Sequence, residues 1–362
     1  MEMPLVIIFL PVYNSEKTIE STLNSLLNQT YENYLIYISY DKSEDKTLSI
    51  INSIDSKKII LDIREDEPGL FQNMNYCIDI ARKFVNADYV TIYNSDDIYS
   101  NEILAQQVRF LEINISCSSV FAEGFFIDEK DNFIGVSKNK IYNKENPDIY
   151  TYENLFIGCI RSNATCLSPT FMVRQSILAN DVNLKQKPEI YAQAADFGFF
   201  MEIAKKYGPV GVIKKPLISY RVWKGNSTSK LFKSLPSLVC INELSKDPDI
   251  IKILTWVDYA YIQKQEIWRN NEIIKHLVLN NKNDEIKDIH YKYDIRTYLI
   301  SLFSYSGIYN MYFRFCFGIF CIFKLENKIN NLIIEILSLN QFILIMRKIR
   351  NLNYYFKYFI KH

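Results

Sequence analysis

Apolar runs and amphipathic segments take turns along the first hundred residues of the chain. Segments with apolar residues at helical spacing cover 15–27, 45–54 and 70–84, and Asn14 or Ser15 is the predicted cap of the first helix. The apolar runs predict strands covered on both faces; they are "LVIIFL" (5–10), "NYLIYISY" (33–40), "KKIILDI" (57–63) and "DYVTIYN" (88–94). This alternation predicts an α/β fold, Rossmann-like, with a mostly parallel sheet and flanking helices.

The middle of the chain has mixed patterns. Residues 118–136 predict two strands around the turn "DEKDN", and 170–178 predict a strand that leads into a helix. Residues 196–208 predict an amphipathic helix that ends at a Gly-Pro pair, followed by one or two closing strands over 210–222.

A change of composition near residue 228 predicts two domains. The polar segment "KGNSTSK" (224–230) is typical of a boundary or loop. We therefore expect a first domain over 1–228 and a mainly helical region over 229–362, whose clearest helix covers 255–279.

The last part of that region, 297–362, is apolar and aromatic with a basic end. Charged residues interrupt each apolar run before it reaches the roughly 20 residues needed to span a membrane. Basic residues mixed with Tyr and Phe suit a helix that lies on an anionic membrane surface. A helical subdomain packed on the first domain explains the same pattern, and the sequence leaves both interpretations open.

Composition narrows the function classes. The 362 residues are 48% hydrophobic, enough for a packed core, and the net charge of +1 gives no argument for a nucleic-acid partner. Seven cysteines without a C-x-x-C pair indicate free thiols in a reducing compartment, and three histidines argue against zinc. We interpret the apolar N-terminus as a first strand, not a signal peptide, so the expected location is cytoplasmic.

Acidic residues follow two of the predicted strands. Asp41 ends the second strand, and the pair Asp96–Asp97 ends the fourth. Ligands of parallel sheets bind beyond the carboxyl ends of the strands, so these acids are candidates for one site. The sequence "SDD" is also good turn and N-cap chemistry. The alternative is a divalent cation held by one or two carboxylates together with the phosphates of a substrate.

Six segments follow one another in an order that is more specific than any one of them alone. They are "FLPVYNSEKTIESTLNSLLNQTY", "YDKSEDKTLSII", "REDEPGLFQNMNYCIDIA", "YVTIYNSDDIY", "AADFGFFMEIAKKYG" and "YRVWKGNSTS". Over residues 4–228 this order resembles the family 2 glycosyltransferases, which have the GT-A fold. The resemblance implies a nucleotide-sugar donor, a divalent metal ion (Mn²⁺ or Mg²⁺) and a hydroxyl acceptor.

The resemblance also implies roles on the donor side. Asp41 would accept a hydrogen bond from the nucleotide base, typically uracil. The loop from Pro11 to Asn14, which includes Tyr13, would line the base pocket. Asn73 and Asn75 would contact the nucleotide or the donor sugar, with helix capping as the alternative for both.

The implied metal and catalytic roles fall on four residues. Asp97 would bind the metal ion that bridges the diphosphate, and Asp96 would bind the ribose or assist the metal. Arg221 would face the diphosphate, with a structural ion pair as its alternative. Asp196 would be the general base that deprotonates the acceptor hydroxyl. Its alternative is an acid favoured at a helix N-terminus.

The chain departs from the family's pattern at four positions. Tyr40 and Lys42 replace the first Asp and the Gly of the D-D-G-S segment, Ala195 replaces the acid before Asp196, and Trp223 stands where the family often has His. Residues 159–170 are an acceptor-side loop by analogy alone.

Together these features predict an inverting, metal-assisted glycosyltransferase. It would move a sugar, with a UDP-sugar as the expected donor, to a hydroxyl of a glycan or glycolipid in bacterial surface-polysaccharide synthesis. The alternative is a non-catalytic protein of the same fold that binds nucleotide sugars or glycans. A sugar-nucleotide pyrophosphorylase would need a glycine-rich loop after the first strand, and "PVYNSEKT" has no glycine.

Overall fold

The computed structural model describes residues 2–66, 68–137, 148–162, 166–222, 234–254, 258 and 262. The described strands are β1 (Val6–Val12), β2 (Tyr34–Tyr40), β3 (Ile59–Ile63), β4 (Tyr89–Ile92), β5 (Ile98–Tyr99), β6 (Ser119–Ile127), β7 (Phe133–Ser137), β8 (Ile149–Tyr150), β9 (Met172–Arg174) and β10 (Val210–Arg221). The described helices are α1 (Ile19–Leu27), α2 (Thr47–Ser53), α3 (Leu70–Ala81), α4 (Ile103–Ile113), α5 (Tyr152–Ser162), α6 (Gln175–Asn180), α7 (Pro188–Tyr191), α8 (Ala195–Tyr207), α9 (Ser234–Leu244) and α10 (Pro248–Ile253).

These strands form one mixed sheet in the order β3-β2-β1-β4-β9-β6-β10-β5. The first four strands are parallel, and β1 is the strand between β2 and β4. In the other half β9 runs antiparallel to β4 and to β6, whereas β6 and β10 are parallel. β7 pairs antiparallel with β6 and extends that half as a hairpin.

The carboxyl ends of β1, β2 and β4 meet at one edge because these neighbours are parallel. Val12 lies beside Tyr40, so the loops after β1 and β2 leave the sheet together. β4 ends at Ile92, which places the following carboxylates on the same edge. This arrangement confirms the predicted strands and helices of the first hundred residues.

The core has two parts, one on each face of the sheet. One part includes Ile8, Leu23 and Ile38, packed under α1, α2 and α4. The other includes Phe121, Phe156 and Phe199, packed under α3, α5 and α8. β6 shows why, because its successive side chains point to opposite faces: Val120 belongs to the first part and Phe121 to the second.

Local details differ from the sequence expectation at α1. The helix begins at Ile19, and its N-cap position is Thr18, without a side-chain cap bond. Asn14 and Ser15 instead lie in the loop before the helix, where Asn14 has a φ of 45°. Asparagine tolerates this left-handed conformation better than most residues. The predicted cap was therefore wrong.

Helix α9 lies beyond the predicted domain boundary at 228. Its residues Cys240, Ile241 and Leu244 are buried in the same core as Tyr191 and Phe199 of α7 and α8. The boundary itself stays a prediction. Three features named from the sequence lie outside the described residues: Trp223, the tail over 297–362 and the helix predicted over 255–279, of which only residues 258 and 262 are described. Within the described ranges, no helix is long and apolar enough to cross a membrane.

Candidate active site

The loop after β1 is tied to the loop after β2. The backbone N–H of Asn14 donates to Oγ of Ser43 at 2.9 Å, and Oδ1 of Asn14 accepts from the N–H of Glu44 at 3.1 Å. The N–H of Ser15 donates to Oγ1 of Thr47 at 2.8 Å. The two strand ends therefore form one rigid rim.

Three residues predicted to line the base pocket lie on or beside this rim. Pro11 is inside β1, opposite Ser39, and is half-buried. Tyr13 is 48% exposed, so its ring is available to a ligand. Asn14 is exposed, but its amide oxygen already accepts from the neighbouring loop.

Asp41 directly follows β2 and is nearly inaccessible, with 1% exposure. Its Oδ1 accepts from Nη1 of Arg64 at 2.6 Å, and its Oδ2 accepts from the N–H of Gly69 at 3.2 Å. Each carboxylate oxygen can accept a second hydrogen bond, so the pair still leaves acceptor capacity for a base. Any ligand of Asp41 also meets the buried guanidinium of Arg64.

The loop that carries Asp96 and Asp97 is held from helix α1. Thr18 Oγ1 donates to the carbonyl of Ser95 at 3.0 Å, and Thr22 Oγ1 lies 2.8 Å from the carbonyl of Asp97. The hydroxyls of Ser15 and Ser95 are 2.8 Å apart, which joins this loop to the rim after β1. The carboxylate pair and the predicted base pocket thus share one edge of the sheet.

Asp97 is a buried acid with one oxygen unused. It has no exposed surface, and its Oδ1 accepts from the N–H of Arg221 at 2.8 Å. Within the described part of the chain, its Oδ2 has no hydrogen-bond partner. Burial, followed by repulsion from Asp96, holds the pKa of Asp97 well above its usual range, although contacts with Arg221 and with the Asn94 side chain oppose the rise. A positive ligand would relieve both effects.

These residues fit a divalent cation of the kind expected from the sequence. No described cluster has three or more His, Cys, Asp or Glu side chains placed to hold a metal ion by themselves. Mg²⁺ and similar ions commonly use one or two carboxylates and complete their coordination with substrate phosphates. The unused oxygen of Asp97 suits that arrangement.

Arg221, the last residue of β10, lies against the carboxylate pair but is occupied elsewhere. Its Nε donates to the carbonyl of Asp96 at 2.8 Å. Its Nη1 donates to the carbonyl of Asp128 at 3.3 Å and also binds the carboxylate of Asp131. Its side chain is only 5% exposed. These contacts favour the structural ion pair, which the sequence left open, over a group that faces the diphosphate.

Asp196 lies in the first turn of α8 and is half-buried. Its Oδ1 accepts from the N–H of Phe197 at 2.7 Å, and its side chain also has a hydrogen bond with Ser168. Burial raises the pKa of Asp196, although these hydrogen bonds oppose the rise. A carboxylate with a raised pKa is a stronger proton acceptor than an ordinary surface acid.

Ser168 belongs to the segment 159–170 that was expected to lie on the acceptor side. Residues 163–165 of that segment are outside the described part of the chain. The contact between Ser168 and Asp196 brings the rest of the segment beside the candidate base.

Asn73 and Asn75 lie inside α3, and both have hydrogen-bond partners elsewhere in the protein. Asn75 exchanges two hydrogen bonds with the backbone of Gln186, at 2.8 and 2.9 Å. Asn73 is 2% exposed and donates to the carbonyl of Ser39 at 3.1 Å. Neither residue caps the helix, which begins at Leu70. A donor contact by Asn75 stays a prediction.

Sequence reasoning missed two residues at this edge. Arg64 directly follows β3, so the strand-end rule that selected Asp41 would have found it. Asp131 lies in the turn between β6 and β7, and only the fold brings it to Arg221. No local pattern predicts that pair.

The matches to known proteins agree with this geometry. The model of the family "Glycosyl transferase family 2" matches residues 7–178. The Escherichia coli protein WfaP, a UDP-Glc:alpha-D-GlcNAc-diphosphoundecaprenol beta-1,3-glucosyltransferase, is 33% identical over 34% of this chain and 49% of its own length. The chain thus spans about half the length of that relative. An uncharacterized glycosyltransferase of Haemophilus influenzae is 24% identical over 76% of this chain and 84% of its own length.

A solved structure extends the likeness to the fold. The crystal structure of S. aureus TarS aligns with a TM-score of 0.52 and 20% identity, over 74% of this chain and 43% of TarS. A likeness at this identity concerns the architecture, which agrees with the mixed sheet and flanking helices described above. The family match, the relatives and this architecture together show a glycosyl transferase family 2 domain over residues 7–178, in a chain that has the GT-A fold.

Proposed function

We propose that this protein transfers a hexose from a UDP-sugar to a hydroxyl of a lipid-linked glycan, with inversion at the anomeric carbon. The observation that carries the proposal is the carboxylate pair after β4. There, a buried acid keeps one oxygen without a partner among the described residues, beside the rim that was predicted to hold a nucleotide.

Donor binding divides between two parts of the edge. The base enters the rim near Tyr13 and meets the Asp41–Arg64 pair, while Asp96 binds the ribose. Asp97, assisted by Asp96, would hold Mn²⁺ or Mg²⁺ through its unused oxygen. The ion supplies positive charge that stabilises the leaving diphosphate without a proton transfer.

The acceptor is activated by one base. Asp196 takes the proton of the acceptor hydroxyl. At the same time the oxygen of that hydroxyl attacks the anomeric carbon, and the bond between this carbon and the diphosphate breaks. A single base on the face opposite the leaving group gives one displacement, and one displacement inverts the configuration. The raised pKa of Asp196 supports this role because it strengthens the carboxylate as a proton acceptor.

The acceptor class rests on relatives. WfaP, by its name, uses UDP-Glc and a GlcNAc linked to diphosphoundecaprenol. An acceptor of this chemistry is anchored in a membrane, which agrees with the interpretation of 297–362 as an interfacial segment at the inner membrane face. We carry over the class of donor and acceptor, and not the particular linkage.

A panel of UDP-sugars tests the proposal. The full chain is mixed with each sugar nucleotide, with and without Mn²⁺, and binding is measured by saturation-transfer NMR alongside release of UDP. We expect binding of at least one donor that strengthens with Mn²⁺, and slow UDP release that the variant Asp196→Asn abolishes.

Two results would argue against the enzyme. Donor binding without UDP release, and without transfer to any lipid-linked glycan, would support the non-catalytic alternative. Equal UDP release by the wild-type protein and by Asp196→Asn would remove Asp196 as the base.

A further inference from the structure

Arg221 connects three parts of the molecule that are far apart in the sequence. Its N–H holds Oδ1 of Asp97 at 2.8 Å, and its Nε holds the carbonyl of Asp96 at 2.8 Å. The outer part of its guanidinium binds the carbonyl of Asp128 and the carboxylate of Asp131 in the β6–β7 turn. One side chain therefore joins the carboxylate pair to a surface turn.

The turn that carries Asp131 has its own internal order. Oδ1 of Asp128 accepts from the N–H groups of Lys130 and Asn132, at 2.8 and 2.9 Å. Oδ2 of Asp128 accepts from the amide of Asn132 at 3.1 Å. Asp131 has a φ of 65°, a left-handed conformation that Asp and Asn tolerate. The turn thus presents the carboxylate of Asp131 to Arg221 from a fixed position.

We propose that Asp131 is a positioning residue for the carboxylate pair and acts through Arg221. This inference rests on the proposed function, because it concerns the geometry of the cation-binding carboxylates. Asp131 touches neither substrate nor metal. It holds the positive guanidinium in the turn, away from the carboxylates of Asp96 and Asp97.

The physical reason is the burial of Arg221. Its side chain is 5% exposed, whereas the Asp131 side chain is 55% exposed. A buried guanidinium needs a negative partner. Without Asp131, the guanidinium can turn toward Asp97, whose carboxylate it already attracts electrostatically and which the cation requires. A guanidinium bound to Asp97 would compete with the cation for the same oxygens.

The backbone contact adds a second effect. Because the N–H of Arg221 occupies Oδ1 of Asp97, the oxygen left for a cation is Oδ2, which has no partner among the described residues. A shift of Arg221 toward the carboxylates changes this selection as well. The β6–β7 turn therefore sets the geometry of the cation site from outside it.

The test uses Asp131→Asn, which removes the charge and keeps a residue that accepts the left-handed φ. Lys130→Ala is the matched control: it changes an exposed neighbour in the same turn and keeps the backbone bond to Asp128. Calorimetry measures UDP binding to the full chain with and without Mn²⁺, and thermal unfolding is recorded without metal. Hydrogen exchange at the Arg221 amide reports on the bond to Asp97 without metal.

For Asp131→Asn we expect about a 10-fold loss of the Mn²⁺-dependent part of UDP binding, equal to about 1.4 kcal/mol. Binding of UDP without Mn²⁺ and the unfolding temperature should match the control, while the Arg221 amide should exchange faster. In an Arg221→Lys background, Asp131→Asn should have no further effect, because its partner is already changed.

Four outcomes would overturn the inference. Unchanged Mn²⁺-dependent binding in Asp131→Asn, or an additive loss in the double variant, shows that Asp131 does not act through Arg221 on the site. If Asp131→Asn loses UDP binding without Mn²⁺ and thermal stability as much as it loses Mn²⁺-dependent binding, its role is merely structural. A wild-type protein whose UDP binding ignores Mn²⁺ overturns the proposed function and this inference together.

Discussion

Nη1 of Arg64 lies 2.6 Å from Oδ1 of Asp41, and both side chains are almost fully buried, at 5% and 2% exposure. The pair links the end of β2 to the residue after β3. It gives the predicted base pocket one positive and one negative group, so a mutation of the pair should change both stability and donor binding.

We expect Asp41→Asn to lower the free energy of unfolding by about 2 kcal/mol, because it leaves the buried Arg64 guanidinium with only the exposed carboxylate of Asp66, 3.3 Å away, as a counter-charge. Urea denaturation measures this loss. The control is Lys42→Ala, an exposed neighbour, which should stay within about 0.5 kcal/mol of the wild type. UDP binding should weaken in Asp41→Asn only. Wild-type stability and affinity in this variant would mean that the pair matters to neither.

We expect Asp97→Ala to abolish Mn²⁺-dependent UDP binding and to leave the fold intact. The variant removes the oxygen that has no partner in the described part of the chain, and also a buried, repelled charge. Calorimetric titration of UDP with Mn²⁺ measures the first effect, and circular dichroism checks the second. Asp79→Ala, at an exposed acid on α3, is the control. Undiminished affinity in Asp97→Ala would remove its metal role.

The raised pKa of Asp97 predicts a pH dependence. Burial and Asp96 favour the protonated form, whereas a cation binds the ionised form. Mn²⁺-dependent UDP binding should therefore weaken as the pH falls through the raised pKa of Asp97, above the usual range for an Asp, and binding should release protons. Calorimetry in buffers of different ionisation enthalpy measures both quantities. A profile that stays flat until the pH reaches the ordinary Asp pKa of about 3.9 would contradict this expectation.

We expect Asp196→Asn to keep donor binding and to lower turnover by about 10²-fold or more, the usual scale for loss of a general base. Asn keeps an oxygen that can accept from the N–H of Phe197, so stability should change by less than about 1 kcal/mol. The wild-type rate should rise with pH through the raised pKa of Asp196, since the base must be ionised. Parallel losses of binding and turnover would show that Asp196 is structural.

The tail over 297–362 lies outside the described residues, and its membrane role stays a prediction from its sequence. We expect the full chain to co-sediment with anionic vesicles, because each basic residue near the membrane surface contributes about 1 kcal/mol of electrostatic attraction. Salt screens this attraction, so it should weaken the binding. Deletion after about residue 296 should abolish sedimentation. If the full chain stays in the supernatant at low salt and is a monomer without detergent, the membrane interpretation is wrong. The remaining interpretation is then a helical subdomain packed on the first domain.

The first half of the fold follows from the amino-acid sequence alone. Burial on both faces imposes continuous apolar runs on the parallel strands, and helical spacing imposes amphipathic segments between them. These are local patterns, and β1 to β4 lie where they indicated. Parallel order then brings strand ends to one edge, so the sequence was enough to identify Asp41 and the Asp96–Asp97 pair as candidates.

What those acids contact depends on the tertiary structure. The antiparallel neighbours of β6, the partner Arg64 of Asp41 and the turn that holds Arg221 depend on segments up to 125 residues apart. Contacts between such distant segments depend on the packing of buried faces and on the pairing of buried charges. Neither produces a periodic pattern in the amino-acid sequence. Arg221 shows the difference: the resemblance left a diphosphate contact and a structural ion pair both open, and only the tertiary structure supplies Asp131 as an ion-pair partner.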